Sequence, residues 1–154
     1  MINVSWNDIV EEYLPWISRL TGKAYRLPTN EEWDMAARAG RNTSYSWGND
    51  IGLSLANCNG CKSPWDNKQT APVGSFKPND FGLFDMHGNV WEWTRDCETD
   101  APSVGHADEC ASRSLRGGSW LDEPRLMKLE SKVGNPPSFR SDDNGFRIVR
   151  DATR

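Results

Sequence analysis

Residues 79–93 read Asn79-Asp80-Phe81-Gly82-Leu83-Phe84-Asp85-Met86-His87-Gly88-Asn89-Val90-Trp91-Glu92-Trp93. Gly82 and Gly88 break the first part of this stretch into turns. Residues 89–94 then alternate with aromatic and β-branched side chains, the pattern of a short strand. The same turn-then-strand texture extends outward. From Arg41 onward, Gly48, Asn49, Gly52, Asn57, Gly60, Pro64, Pro72, Gly74 and Pro78 follow too closely for a long helix. Residues 114–120 and 145–150 are two further strand candidates. Residues 96–113 read as an exposed polar loop and 121–144 as a long, mostly irregular segment, a length that points to function.

Upstream, the texture is helical. Ser5 and Asp8 form a helix start, and Trp6, Ile9, Val10, Tyr13, Leu14, Ile17 and Leu20 recur at three- and four-residue steps until Gly22. The spacing predicts an amphipathic helix over 6–20, kinked or broken near Leu14 because Pro15 lacks a backbone donor. Thr29 and Glu32 form a capping box for a second helix over 30–39, stopped by Gly40. Two helices followed by a small sheet define an α+β class in a single domain, 1–154.

Composition removes several function classes. The 154 residues are 36% hydrophobic, and the net charge is −4 with basic residues scattered along the chain, which excludes nucleic acid as the main partner. No apolar run approaches the roughly 20 residues of a membrane span, and the N-terminus lacks a basic segment followed by an apolar one. Eight tryptophans, most of them beside turn residues, read as anchors of a loop-rich fold, with Trp91, Trp93 and Trp120 in the core. Arg116, Arg140 and Arg147 are expected to pair with carboxylates or carbonyls beside them. The only histidines, His87 and His106, are too few for a three-histidine metal site, and nothing aligns a nucleophile with an orienting partner. His87 reads as an exposed or hydrogen-bonded loop residue. Cys58 and Cys61 form a CxxC turn, while Cys97 and Cys110 flank the polar loop. The four cysteines fit either disulfides or a Zn²⁺ site.

The stretch at 79–93 stands with Val4-Ser5-Trp6, Tyr25 through Trp33, Ala36 through Gly40, Pro72 through Phe76, Arg116-Gly117-Gly118-Ser119-Trp120 and Gly145-Phe146-Arg147. In order and spacing these motifs resemble the formylglycine-generating-enzyme family, the sulfatase-modifying factors, across almost the whole chain. The resemblance implies a C-type lectin-like fold with two helices and a small twisted antiparallel sheet. It also implies Ca²⁺ held by Asp85, Gly88, Val90 and Glu92, hard oxygen ligands on an irregular loop. A second calcium place would map to Asn57, Cys58, Asp66 and Lys68, where the CxxC turn disturbs the spacing. No organic cofactor is implied. In the sulfatase-activating members, two reactive cysteines follow the Arg-Gly-Gly-Ser-aromatic motif; here Asp122 and Met127 stand at those places, so copper-thiolate chemistry has no thiolate. The expectation is a chain that is not an enzyme.

The segment 121–144 corresponds to the outward ligand-binding face of that fold. Many relatives are asparagine-rich there. This chain has Leu121, Asp122, Val133, Gly134, Ser138, Phe139, Ser141, Asp142 and Asp143, all residues reachable from an asparagine codon by changing only its adenines. The pattern resembles the variable proteins of diversity-generating retroelements. It implies an adaptable patch, apolar at Leu121, Val133 and Phe139 and polar at the rim, for a protein ligand on a cell or virion surface.

Overall fold

The computed structural model describes residues 1–98 and 110–151. The expected loop at 96–113 and His106 fall largely or wholly on residues 99–109, outside the described residues.

The first helix starts where the sequence places it. The Ser5 amide donates to Asp8 Oδ2 at 2.8 Å and the Asp8 amide to Ser5 Oγ at 3.1 Å. The expected break at Pro15 takes another form. Asp8–Tyr13 winds as a π-helix and runs on into α1, Leu14–Thr21, with Pro15 in the first turn of α1. Pro15 thus lies inside a continuous helical run, directly after a π-turn in which the Leu14 amide reaches back to the Ile9 carbonyl, and this widened turn is where the ladder accommodates the missing donor. Gly22, at φ +67°, ends α1 and donates to the Ser18 carbonyl. Helix α2 is Asn30–Arg38 behind the Thr29–Glu32 capping box, one residue shorter than expected because Ala39 already takes the left-handed C-cap conformation.

Four strands follow: β1 Trp91–Cys97, β2 Arg113–Arg116, β3 Lys132–Asn135 and β4 Asn144–Phe146, in the order β3-β2-β1-β4. The sheet is mixed, not wholly antiparallel, because β4 runs parallel to β1 with Glu92 opposite Gly145. Strand β2 stops at Arg116 because Gly117 and Gly118 adopt φ of +97° and +78°. The segment 121–144 is more ordered than its sequence implies. It contains a 3-10 turn, Pro124–Met127, and the edge strand β3.

Ile9, Leu14, Leu27, Trp91, Trp93 and Leu115 form the core between helix and sheet. A second cluster joins Trp33, Ala37, Met86 and Leu129, and a third joins Tyr45, Ala56, Cys58, Cys61 and Met127. Trp91 and Trp93 are the expected anchors. Trp120 is only half-buried, with its indole nitrogen unpartnered among the described residues. No helix among the described residues is long and apolar enough to cross a membrane.

Candidate functional site

Strand β1 carries Glu92 into the interior between α2 and β4. Its carboxylate accepts from Trp33 Nε1 at 2.7 Å, from Arg147 Nε at 2.5 Å and from Arg147 Nη2 at 2.7 Å. Arg147 also donates to the Phe84 carbonyl. Arg116, on β2, donates to the Leu129 carbonyl and to Asp34, its guanidinium 4.9 Å above the Trp33 ring. Arg140 holds Asp8 through a two-pronged pair at 2.7 and 2.5 Å, which keeps the Asp8 carboxyl far below the usual carboxylate range. The three arginines thus do what the sequence reading assigned them.

The implied calcium loop has mixed geometry. Both Glu92 oxygens already accept from N–H groups. Asp85 Oδ2 accepts from the Gly74 amide at 2.7 Å, whereas Asp85 Oδ1 is buried without a hydrogen-bond partner among the described residues. Burial pushes the Asp85 carboxyl up. A buried carboxylate oxygen without a partner suits a hard cation, and the Gly88 carbonyl, which the resemblance adds to the set, already accepts from the Val90 amide at 2.9 Å. Glu92 would have to share an oxygen. The second implied place is engaged internally: Asn57 bonds Ser63 and the Gln69 carbonyl, while Asp66 accepts the Gly60 and Lys62 amides. The cysteines stand as two disulfides, Cys58–Cys61 and Cys97–Cys110.

His87 is neither exposed nor a ligand in waiting. It is 3% exposed, with Nε2 accepting from the Ser46 amide at 3.0 Å and Nδ1 lying 2.7 Å from the Met127 carbonyl.

The nine residues of the anticipated binding face go to three places. Leu121 and Asp122 sit on a turn around Ser119, whose Oγ donates to Asp122 Oδ2 at 2.6 Å and lies 3.4 Å from Asp143 Oδ2. Ser138 and Phe139 project from a turn closed by the Phe139 amide on the Pro136 carbonyl. The N-terminal segment pins that turn on both sides, through Asn7 to the Pro137 carbonyl and Asn3 to the Ser141 carbonyl, while Trp91 donates to Asp143. Leu121, Ser138, Phe139 and Asp142 are exposed. Val133 and Gly134 lie on β3. Val133 packs against the helix–sheet core, and a Cβ on Gly134 would come within 2.5 Å of Glu98 and Ser112 side-chain atoms. The sequence reading missed the role of Ser119 as the hub of the turn and the Asp8–Arg140 tether. The Ser119 motif was visible; the tether joins residues 132 positions apart and left no local signal.

Residues 1–152 match the model of the sulfatase-modifying factor enzyme 1-like domain. The chain belongs to that family. The sulfatase-modifying-factor chain is 37% identical over 167 residues to a Bos taurus protein named inactive C-alpha-formylglycine-generating enzyme 2, covering 100% of this chain and 51% of the relative. It spans about half the length of the curated relatives it matches. Among solved structures, PvdO from Pseudomonas aeruginosa superposes with a TM-score of 0.86 at 37% identity, covering 98% of this chain and 61% of PvdO. Treponema denticola variable protein 1 superposes at 0.67 with 30% identity, covering 82% of this chain and 47% of the other. The resemblance sets Asp122 and Met127 at the places of the family's reactive thiols, and the structure engages both side chains otherwise. Asp122 is bound to Ser119, and Met127 has no exposed surface, lying in the cluster with Tyr45, Cys58 and Cys61.

Proposed function

We propose that this domain is a non-catalytic binding module that recognises a protein ligand, displayed on a cell or virion, through the face formed by residues 121–144, and that a retroelement diversifies this face. The observation that carries the reading is the separation of side chains from support. Leu121, Ser138, Phe139 and Asp142 are exposed, while the turns that bear them are held by backbone bonds to Asn3, Asn7 and Trp91 and by Ser119. Such a scaffold accepts new side chains without losing its core. The likeness to a variable protein supports the same reading, as does the presence of Asp122 and Met127 where the resemblance sets reactive thiols.

Replacing Ser138 and Asp142 together by Ala is expected to change unfolding free energy by no more than about 1 kcal/mol, since surface changes are individually within about ±0.5 kcal/mol. Val133→Ala, which opens the core, should alone cost about 1–2 kcal/mol. Urea titration of the two variants checks the contrast; equal losses would remove the separation.

The decisive test of diversification is the DNA beside the gene. A near-copy of codons 117–147, carrying adenines at the divergent positions and lying beside a reverse transcriptase gene, is the expected result. Its absence returns the chain to an undiversified domain. Formylglycine-generating enzymes are also relatives, which favours a second reading as a catalytic or maturation-factor domain acting on a sulfatase-like or other protein substrate. Turnover of a sulfatase peptide with Cu⁺ would establish that reading and refute the first.

The binding-module reading includes Ca²⁺ at Asp85, with the Gly88 and Val90 carbonyls and one Glu92 oxygen. Saturating Ca²⁺ is expected to raise the melting temperature of chelator-treated protein by several degrees, because a ligand at about 100 times its Kd adds about 2.7 kcal/mol. Asp85→Asn should abolish the rise; an unchanged melting curve with the native sequence removes calcium from the account.

A further inference from the structure

The π-helical stretch Asp8–Tyr13 forms one wall of a groove of about 470 Å³, closed opposite by Phe146 of β4. This lies within the size range of small-molecule sites. Three rings line it. Tyr13 meets Trp16 at a centroid distance of 5.6 Å, and Tyr13 meets Phe146 edge-on at 5.0 Å. Trp16 is 50% exposed. Half of the Trp16 ring rests against Tyr13 and the other half is open to solvent. Acidic groups stand beside the rings. Asp8 is already neutralised by Arg140, whereas Glu12 pairs with none of the described residues. Arg19, the basic group of the groove lining, lies seven residues along the helix from Glu12, roughly 10 Å away at 1.5 Å per residue. The lining therefore sets the unpaired Glu12 carboxylate on one side of Trp16 and the Arg19 guanidinium on the other. The π-helix is itself a second observation. It is a rare conformation that recurs at functional sites, and here it widens the helix where Asp8, Glu12 and Tyr13 face the groove.

We propose that the Glu12–Tyr13–Trp16–Phe146 end of this groove binds an alkylated ammonium group. Ring faces attract a cation through the quadrupole of the π-system, and a quaternary ammonium loses little hydration on entering. Glu12 supplies the opposite charge, while Arg19, three residues beyond Trp16 on α1, bounds the site on its other side. Two sources share this chemistry, a free quaternary amine and a methylated lysine side chain on a peptide. The proposal does not rest on the 121–144 reading and survives its failure.

Calorimetric titration of the whole chain with three probes tests it: choline, dimethylbutanol as the neutral carbon isostere of choline, and a capped trimethyl-lysine peptide. Choline or the peptide should bind at least tenfold more tightly than dimethylbutanol. Binding of choline assigns a free amine, and binding of the peptide alone assigns a lysine side chain. Trp16→Ala and Glu12→Gln should each weaken the bound probe about tenfold. Both side chains lie at the surface, so the variants should keep the native melting temperature. Equal binding of choline and dimethylbutanol, retention of affinity in Trp16→Ala, or no binding of either cation overturns the proposal.

Discussion

Glu92→Ala is expected to destabilise the domain by about 3–5 kcal/mol, the cost of removing one partner from a buried ion pair. Glu92 is 6% exposed and collects three donors from two elements: Trp33 Nε1 of α2 and the Nε and Nη2 groups of Arg147 just beyond β4. Removing the carboxylate strands the buried Trp33 indole N–H and leaves the half-buried Arg147 guanidinium with the Phe84 carbonyl but no countercharge from Glu92. Arg147→Ala should cost a similar amount by leaving Glu92 as the unpaired charge. Replacing both by apolar residues of similar volume, Glu92→Leu with Arg147→Met, should cost less than either alanine variant, because no charge is then left behind. A urea-unfolding cycle of the four proteins measures this. If the double variant loses as much as the sum of the singles, the two side chains act independently, and the account of the pair is wrong. For a chain of this length, the single variants should lower the melting temperature by about 10 °C.

The legible parts of this fold were local. The Ser5–Asp8 start and the Thr29–Glu32 capping box each close within four residues, so side-chain chemistry and chain position coincide. The break at Pro15 was correctly placed as a disturbance but wrongly shaped. Where the widened turn goes depends on what Asp8 and Tyr13 meet across the groove. Strand β3 escaped notice for the opposite reason. Lys132-Val133-Gly134-Asn135 has almost no strand propensity, and its conformation is imposed by pairing with β2 and by the close approach of Glu98 and Ser112 to Gly134. The parallel pairing of β4 with β1 is likewise a property of the partner strand. At the candidate site, the family motifs located Glu92, Arg147 and Ser119. The same motifs could not reveal that Val133 faces the core while Phe139 faces solvent, because both read as single apolar residues in a polar loop.

Lowering the pH from 7 to about 4 is expected to remove about 3 kcal/mol of stability through His87 alone. The Met127 carbonyl beside Nδ1 can only accept, so Nδ1 carries the proton; the Ser46 amide beside Nε2 can only donate, so Nε2 must be bare. The neutral tautomer is thus written into the packing. A second proton would set N–H against N–H in a site walled by Tyr45 and Trp47. Burial pushes the imidazole down to about 4 from an ordinary value near 6.5, outweighing the opposing pull of the Met127 carbonyl and the Glu92 charge. Because the folded value is the lower one, the unfolded chain binds more protons between pH 6.5 and 4. Stability is therefore full above about 6.5 and falls as pH falls through the window. Asp8 and Glu32, held low by Arg140 and Arg26, act in the same direction but mainly below about pH 4.5, where unfolded carboxylates protonate. Asp85, whose carboxyl burial pushes up, acts in the opposite direction, so the slope from pH 6.5 to 4.5 reports His87 when it is read in an Asp85→Asn background. His87→Phe should be about 2–3 kcal/mol weaker at pH 7, since it strands the Ser46 amide and the Met127 carbonyl, and should be nearly flat across that interval in the same background. A native slope that persists in His87→Phe would assign it to another group and sink the argument. The position matters because the 121–127 segment is fastened to the framework at three carbonyls: Asp122 to the Asn59 amide, Pro124 to the Tyr45 hydroxyl and Met127 to His87. The second proton lands on Nε2 and sets the imidazolium against the Ser46 amide while the Nδ1–H bond to Met127 persists, so acid should loosen the chain at Ser46 before it frees the 121–127 segment.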